Sequence, residues 1–267
     1  MNQHFQDKVV WITGASSGIG EALVFAFAKA GAKVVLSSRR QVELKRVQKE
    51  AGLSETNSLV LPLDLEKKRD FTSETKKVIQ KLGGLDLVIH NGGISQRSLA
   101  KDTQIEVFEK LMAVNYTGSV ALTLATLPHF RKQKSGSYAV ITSIVGKVGT
   151  PLRSGYSASK HALHGFFDAL RAENADMNLN VLLVLPGFIK TNVSINALVG
   201  SGVAQGKMDE AQSKGLAPSL VADKILKALA SGKQEIAIGG MREHFALFMK
   251  RFFPKILASI LKNAKVT

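Results

Sequence analysis

Cysteine is absent from all 267 residues, which removes disulfides, thiolate metal sites and cysteine nucleophiles together. Acid is scarce as well: 21 Asp and Glu stand against 36 Lys and Arg, a formal net charge of +15. The run Val9-Val10-Trp11-Ile12 is too short for a secretory leader and leads directly into a glycine turn. A cytoplasmic protein is expected, at most peripheral to a membrane.

A basic excess suits nucleic acid, an anionic membrane surface or a multiply phosphorylated ligand. No helix-turn-helix signature, arginine-rich run or aromatic-basic stripe is present, so nucleic acid is not an expected partner. What is there, 45% hydrophobic and 21% charged, is the composition of one folded domain with a full core. Short β-branched runs at 8–13, 33–38, 58–63, 85–91, 137–143, 180–185 and 235–238 alternate with stretches of helical period. Helices are predicted over 18–30, 42–51, 66–82, a long stretch ending near Pro128, 156–175 and 220–231. Such alternation predicts β-α-β units around a parallel sheet buried on both faces.

Thr13-Gly14-Ala15-Ser16-Ser17-Gly18-Ile19-Gly20 falls where the first strand meets the first helix. Glycine there permits unusual backbone angles and close approach, and a helix N-terminus offers N–H groups to a pyrophosphate. A plain tight turn would use the same residues, but its place at the first strand-helix junction favours a dinucleotide. The second strand ends at Ser38-Arg39-Arg40, without the carboxylate that would accept from a ribose 2′-hydroxyl. Arg39 suits a 2′-phosphate, so NADP is expected. The competing reading makes Arg39 and Arg40 a solvated helix start, where two cations would oppose the helix dipole.

Tyr156 and Lys160, four apart on a helical pattern, share a face. An ammonium beside a phenol is expected to draw its pKa down from about 10, making an acid–base pair. Ser143, at the carboxyl end of the preceding strand, is where a hydroxyl would position a substrate oxygen. His161, His164 and Asp168 also share a face, but without a second ligand cluster no metal is expected. Trp11, Phe166 and Phe167 read as core.

In order along the chain, Gly14, Gly18 and Gly20, Asp64, Asn91-Gly92-Gly93, Asn115, Ser143, Tyr156 with Lys160, and Pro186-Gly187 with Thr191 resemble the short-chain dehydrogenase/reductase family over 8–238. Residues 90–98 and 188–194 resemble its member 7 group. The resemblance implies an α/β enzyme with a single-domain Rossmann-type doubly wound parallel sheet over 1–240, moving a hydride between NADP(H) and a carbonyl or secondary alcohol. In it Tyr156 would protonate the forming alkoxide, Lys160 would lower the phenol pKa and bind the nicotinamide ribose, and Ser143 would hold the carbonyl oxygen. Asn115 would hold a water against Lys160. The cofactor would lie along Gly14, Ser16, Ser17, Gly18, Ile19, Gly20, Arg39, Asp64 at the adenine, Asn91 to Gly93, Pro186, Gly187, Ile189 and Thr191 at the carboxamide. The family's subunit contacts imply a homodimer or homotetramer. Two departures stand out: His90-Asn91-Gly92-Gly93 replaces the usual Asn-Asn-Ala-Gly, and Ser17 stands where many NADP-preferring members carry a basic residue.

Residues 188–217 would form a substrate lid, and Val193, Ile195, Leu198 and Val203 in it point to an apolar substrate such as a steroid, retinoid or other lipid-like carbonyl. A protein that senses NADPH without turnover, or a membrane-surface module, are the alternatives. Beyond the sheet, 241–267 carries Phe245, Phe248, Met249, Phe252 and Phe253 at helical spacing and six Lys or Arg against Glu243 alone. Such a basic amphipathic segment would pack on its own fold or a partner subunit, or lie in an anionic membrane interface.

Overall fold

Seven strands run parallel in the order β3-β2-β1-β4-β5-β6-β7, so the order reverses between β1 and β4. They are β1 (Val9–Thr13), β2 (Lys33–Ser37), β3 (Ser58–Val60), β4 (Leu87–His90), β5 (Ser135–Ile141), β6 (Asn178–Pro186) and β7 (Glu235–Ile238). The computed structural model describes residues 2–67 and 69–262, so 263–267 of the basic segment lie outside it. Helices are α1 (Asn2–Phe5), α2 (Gly18–Lys29), α3 (Gln41–Glu50), α4 (Thr72–Leu82), α5 (Ile105–Met112), α6 (Gly118–Gln133), α7 (Ser154–Glu173), α8 (Glu210–Ser213), α9 (Pro218–Ala230), α10 (Met241–Phe252) and α11 (Pro254–Leu261).

Every residue of β1 is buried because the sheet is covered on both faces. Val10 and Ile12 join a core with Leu23 and Phe27 of α2 and Ile225 of α9. Val9 and Trp11 face the opposite core, with Val78 of α4, Phe130 of α6 and Phe167 of α7. Strand alternation thus assigns the two halves of the interior. This is the expected doubly wound α/β architecture, with the strands' carboxyl ends opening a crevice at the reversal.

Two predicted helices depart from expectation, at three points. The one predicted from 66 begins at Thr72, where the Asp70 carboxylate accepts from the Thr72 N–H at 2.8 Å. The long fourth helix is split by a π-helical turn, Ala113–Thr117, which carries Asn115. Pro128 does not end α6, which runs on to Gln133. Phe130, beyond the proline, is fully buried edge-on to Tyr138 at 5.1 Å, and that packing holds the last turn. Leu124, whose carbonyl the proline cannot bond, lies on the exposed side.

Candidate active site

The carboxyl ends of β1 and β4 are clasped by neutral groups. Thr13 Oγ1 donates to the Ile89 carbonyl at 3.1 Å and accepts from the N–H groups of Asn91 and Gly92, both at 3.0 Å. Asn91 Nδ2 returns bonds to the carbonyls of Thr13 at 3.0 Å and Gly14 at 3.2 Å. Gly14 has a φ of +66°, and a Cβ there would meet Asn91 Nδ2 at 2.8 Å. Gly18, at +61°, leaves room for Thr191, whose Cγ2 would lie 3.0 Å from a Cβ. Ser17 gives α2 no side-chain cap. The first N–H groups of that helix are therefore uncommitted to a cap, in a cradle that only glycine fits, and these residues fit a dinucleotide pyrophosphate. Ile19 and Gly20 form the helix's first turn, Ile19 against the core.

At the end of β2, Arg39 is exposed while Arg40 turns back, its Nη2 donating to Ser16 Oγ at 3.2 Å. Sequence reasoning singled out Arg39; Arg40 was taken only as part of a helix start, because contact with a turn 24 residues upstream leaves no local signal. Asp64 accepts from the Glu66 N–H at 2.9 Å and shapes the turn after the third strand.

Tyr156, Ser143 and Lys160 do converge. The Ser143 hydroxyl lies beside the phenol and pulls its pKa down, donates to the Pro186 carbonyl at 3.3 Å and accepts from the Val145 N–H. Lys160 Nζ lies 5.8 Å from the Tyr156 ring centre and donates to the Ile141 carbonyl at 2.8 Å. Burial pushes the phenol pKa up, against the pull of Ser143, Arg153 and Arg97, and lowers Lys160 to about 8. The cations that favour the phenolate are Arg153 and Arg97, and Lys160 is not among the causes of its shift. The Asn115 amide is committed to the backbone of Ile94, at 2.8 and 3.0 Å, and to Ser159 Oγ at 2.9 Å. Its side chain braces the loop after β4 against α7. Gly93 admits the pair: a Cβ there would meet Asn115 Oδ1 at 3.0 Å and Lys160 Nζ at 3.5 Å.

The family model for short chain dehydrogenases matches residues 8–198. The chain belongs to that family. It is 43% identical over 266 residues to a dehydrogenase/reductase SDR family protein 7-like of Anopheles gambiae, covering 98% of this chain and 84% of that one. Dehydrogenase/reductase SDR family member 7 of Homo sapiens is 39% identical over 253 residues, covering 93% and 75%. These relatives put the chain in the member-7-like group. A short-chain dehydrogenase from Streptomyces avermitilis superposes with a TM-score of 0.77 at 25% identity over 96% of each chain. One from Burkholderia phymatum, solved with NAD, shares the fold with a TM-score of 0.81 at 20% identity over 98% of each chain. As a short-chain dehydrogenase the protein is an oxidoreductase that transfers hydride between a small molecule and a nicotinamide dinucleotide.

Within this short-chain dehydrogenase, the later segments lie where the crevice needs them. Gly187 N–H bonds the Ile238 carbonyl at 2.8 Å, and Gln212 Nε2 donates to the Ile189 carbonyl and, at 3.3 Å, to Thr191 Oγ1. The imidazole that replaces the family's amide, His90, points into the core. It shares a 2.9 Å hydrogen bond with Thr123, stacks on Tyr138 at 5.8 Å and is kept neutral by burial, its pKa lowered to about 3. His161 Nδ1 lies 2.8 Å from the Ser157 carbonyl, and His164 packs beside Gly146. Sequence reasoning missed Gln96, Arg97, Arg153 and Asp209, all buried around the start of α7. Only the basic residues themselves could have flagged them, and nothing in the sequence separates these from the other 34 Lys and Arg.

The amphipathic segment forms two helices. Met249 and Leu257 pack on Val148, whereas Met241, Phe245, Phe248 and Phe252 of α10 are between 51 and 89% exposed. The apolar face expected of each helix is thus divided between the protein and its surroundings.

Proposed function

We propose that the protein reduces a carbonyl, or oxidises the corresponding secondary alcohol, with NADP(H). The observation that carries this reading is the meeting of half-buried Ser143 and Tyr156 with buried Lys160 beside the glycine cradle. When bound, the nicotinamide supplies or takes the hydride. Ser143 then holds the carbonyl oxygen, Tyr156 gives its phenolic proton to that oxygen as the alkoxide forms, and Lys160 holds the cofactor ribose. Asn115 keeps the loop after β4 and α7 at a fixed separation. The absence of a carboxylate at Ser38, together with Arg39 and Arg40 at the end of β2, supports the phosphorylated cofactor over NAD. Tyr156 packs with Ile94, Val107, Leu111 and Leu198, which supports an apolar substrate of steroid, retinoid or lipid-like kind under a lid formed by 188–217. Turnover across a panel of apolar ketones and alcohols with NADPH and NADH tests the reading; a protein that binds NADPH and turns over none of them is the sensor instead.

We also infer that α10 and α11 rest on an anionic membrane surface. Among the described residues, seven of the fifteen large exposed apolar ones fall here, the four on α10 continuing into Phe253, Ile256 and Ile260. Arg242, Lys250, Arg251, Lys255 and Lys262 surround them with Glu243 as the one acid. A second copy would bring two such basic segments together, whereas anionic lipid complements them. Flotation with phosphatidylcholine vesicles, with and without phosphatidylserine, is the test. Salt-sensitive binding that needs phosphatidylserine and is lost in Phe248→Ser/Phe252→Ser supports it. Absence of binding at low salt, with a homodimer or homotetramer that dissociates in that variant, would assign the face to self-association.

A further inference from the structure

Apart from Ser143, Tyr156 and Lys160, the crevice holds one dense group of buried charge, assembled from three distant parts of the chain. Arg97 follows β4, Arg153 precedes α7, and Asp209 lies in the 188–217 segment; none is more than 7% exposed. Nε and Nη2 of Arg97 both lie 2.7 Å from Asp209 Oδ2, and Nη1 donates to Ser95 Oγ at 2.8 Å and the Gln96 carbonyl at 2.6 Å. Asp209 Oδ1 accepts from Gln205 Nε2 at 2.9 Å. Arg153 Nη2 is 3.8 Å from the same Asp209 oxygen, and its guanidinium sits 5.6 Å from the centre of the Phe188 ring. Two guanidiniums thus approach one carboxylate out of water, an arrangement that hydrophobic packing often replaces at no loss of stability.

The same loop holds the catalytic helix. Gln96, fully buried, accepts through Oε1 from the backbone N–H groups of Gly155 at 2.8 Å and Tyr156 at 3.3 Å. Arg97 N–H bonds the Leu198 carbonyl, Leu198 N–H bonds the Ser95 carbonyl, both at 2.8 Å, and Ser98 N–H bonds the Leu152 carbonyl at 3.1 Å. Residues 95–98 therefore join the proposed lid on one side to the first turn of α7 on the other.

We propose that Arg97, Arg153 and Asp209 are positioning residues for Tyr156: the two guanidiniums supply the positive field at the phenol, and Asp209 trims that field while fastening the lid to the loop. The proposal rests on the reading of Tyr156 as the acid–base group. The charged and polar groups that act on the phenol are Ser143 from the loop after β5, Arg153 just before α7 and Arg97 from the loop after β4; Lys160 of α7 lies 5.8 Å from the ring centre, and Asp209 of the lid reaches the phenol only through the two arginines it pairs with. Burial raises the phenol pKa, Arg153 and Arg97 pull it back, and Arg153, itself lowered to about 10, keeps its charge at neutral pH.

The test is the pH dependence of alcohol oxidation, in which Tyr156 must accept the hydroxyl proton, measured as kcat and KM for the best alcohol. Arg97→Met removes a cation and shifts the rising limb to higher pH. Asp209→Asn removes the anion and shifts it to lower pH, each by at least ~0.5 unit. Both loosen the lid, raising KM roughly tenfold. The double variant removes one charge of each sign and keeps the parent's net charge, so its profile returns to that of the parent while KM stays high. It also leaves no buried carboxylate facing a missing arginine, so it remains informative where Arg97→Met alone fails to fold. Shifts of the same sign, or none, with KM raised in every variant would reduce the cluster to a structural latch. Tyr156→Phe, assayed alongside, separates the failures: if it turns over normally the acid–base reading falls, and if it is inactive while the profiles do not move, only this inference falls.

Discussion

Between Gly14 and Asn91 the crevice is walled by glycine and by hydrogen bonds among neutral groups, whereas between Ser95 and Asp209 it is walled by charge taken out of water. The first wall is built from strand ends that the sheet already sets side by side, so backbone angles and one threonine hydroxyl suffice to fix it. The second has no such frame. Its segments are irregular, and Arg97 and Asp209 meet across 112 positions of sequence. On the proposed reading, the wall that accepts the cofactor is rigid through backbone geometry, and the wall that faces the substrate is fastened by side chains, which can change without disturbing the sheet.

The sharpest way to probe this contrast is at the seam. Tyr156→Phe leaves both walls intact, so dinucleotide titration is unchanged while turnover falls by at least ~10²-fold, the lower range for a general acid. Near-native turnover would mean that neither wall serves a proton transfer from this residue. Next is Gly14→Ala, which strains a left-handed position and drives a Cβ into Asn91. It costs on the order of 3 kcal/mol, read by urea unfolding, and weakens the dinucleotide. A variant that binds cofactor like the parent would show the neutral wall to be as adaptable as the charged one.

Arg39→Ala and Arg40→Ala ask whether the neutral wall has a charged edge. Each is expected to weaken NADPH by roughly 1.5–3 kcal/mol while sparing NADH, because only the former carries the phosphate. Equal losses for the two cofactors would dissociate the arginines from cofactor choice. The smallest effect is on stability. Lys160 has a folded pKa of about 8 against 10.5 in the unfolded chain, so above pH 8 the unfolded state binds the proton that the folded state has released. Stability therefore rises with pH, by ~1 kcal/mol between pH 8 and 9, relative to Lys160→Met. A constant gap between the two proteins over that range would remove the burial penalty on this amine.

The contrast between the walls is also a contrast in legibility. Short β-branched runs and glycine spacing were enough to foresee the sheet and the cradle, because strand burial and left-handed turns leave local marks. Tyr156, Lys160 and Ser143 were legible through helical spacing and strand ends. Arg40 on Ser16, Gln96 on the first turn of α7 and the Arg97, Arg153 and Asp209 cluster were not, since each depends on a contact that only the folded chain creates. His90 was visible as a departure, but its direction into the core follows from Thr123 and Tyr138, which the sequence holds 33 and 48 residues away. Helix ends failed where a side chain overruled propensity, as Asp70 did for α4 and Phe130 for α6.

The π-helical turn at Ala113–Thr117 has a mechanical meaning for the chain around it. A π turn is one residue wound into an otherwise regular helix, a dislocation that the surrounding bonds hold in place. Here the Asn115 carbonyl accepts a hydrogen bond from the Ser119 hydroxyl at 3.1 Å, while its amide reaches out sideways to Ile94 and Ser159. Healing the dislocation by excising a single residue would leave α5 and α6 as one unbroken rod and rotate one relative to the other by about a hundred degrees. Either Val107 and Leu111 would leave Leu198, or Leu122 and Phe130 would leave the sheet. The extra residue is thus a fixed phase offset between substrate side and core side, and the bracing asparagine sits at the point where the phase slips.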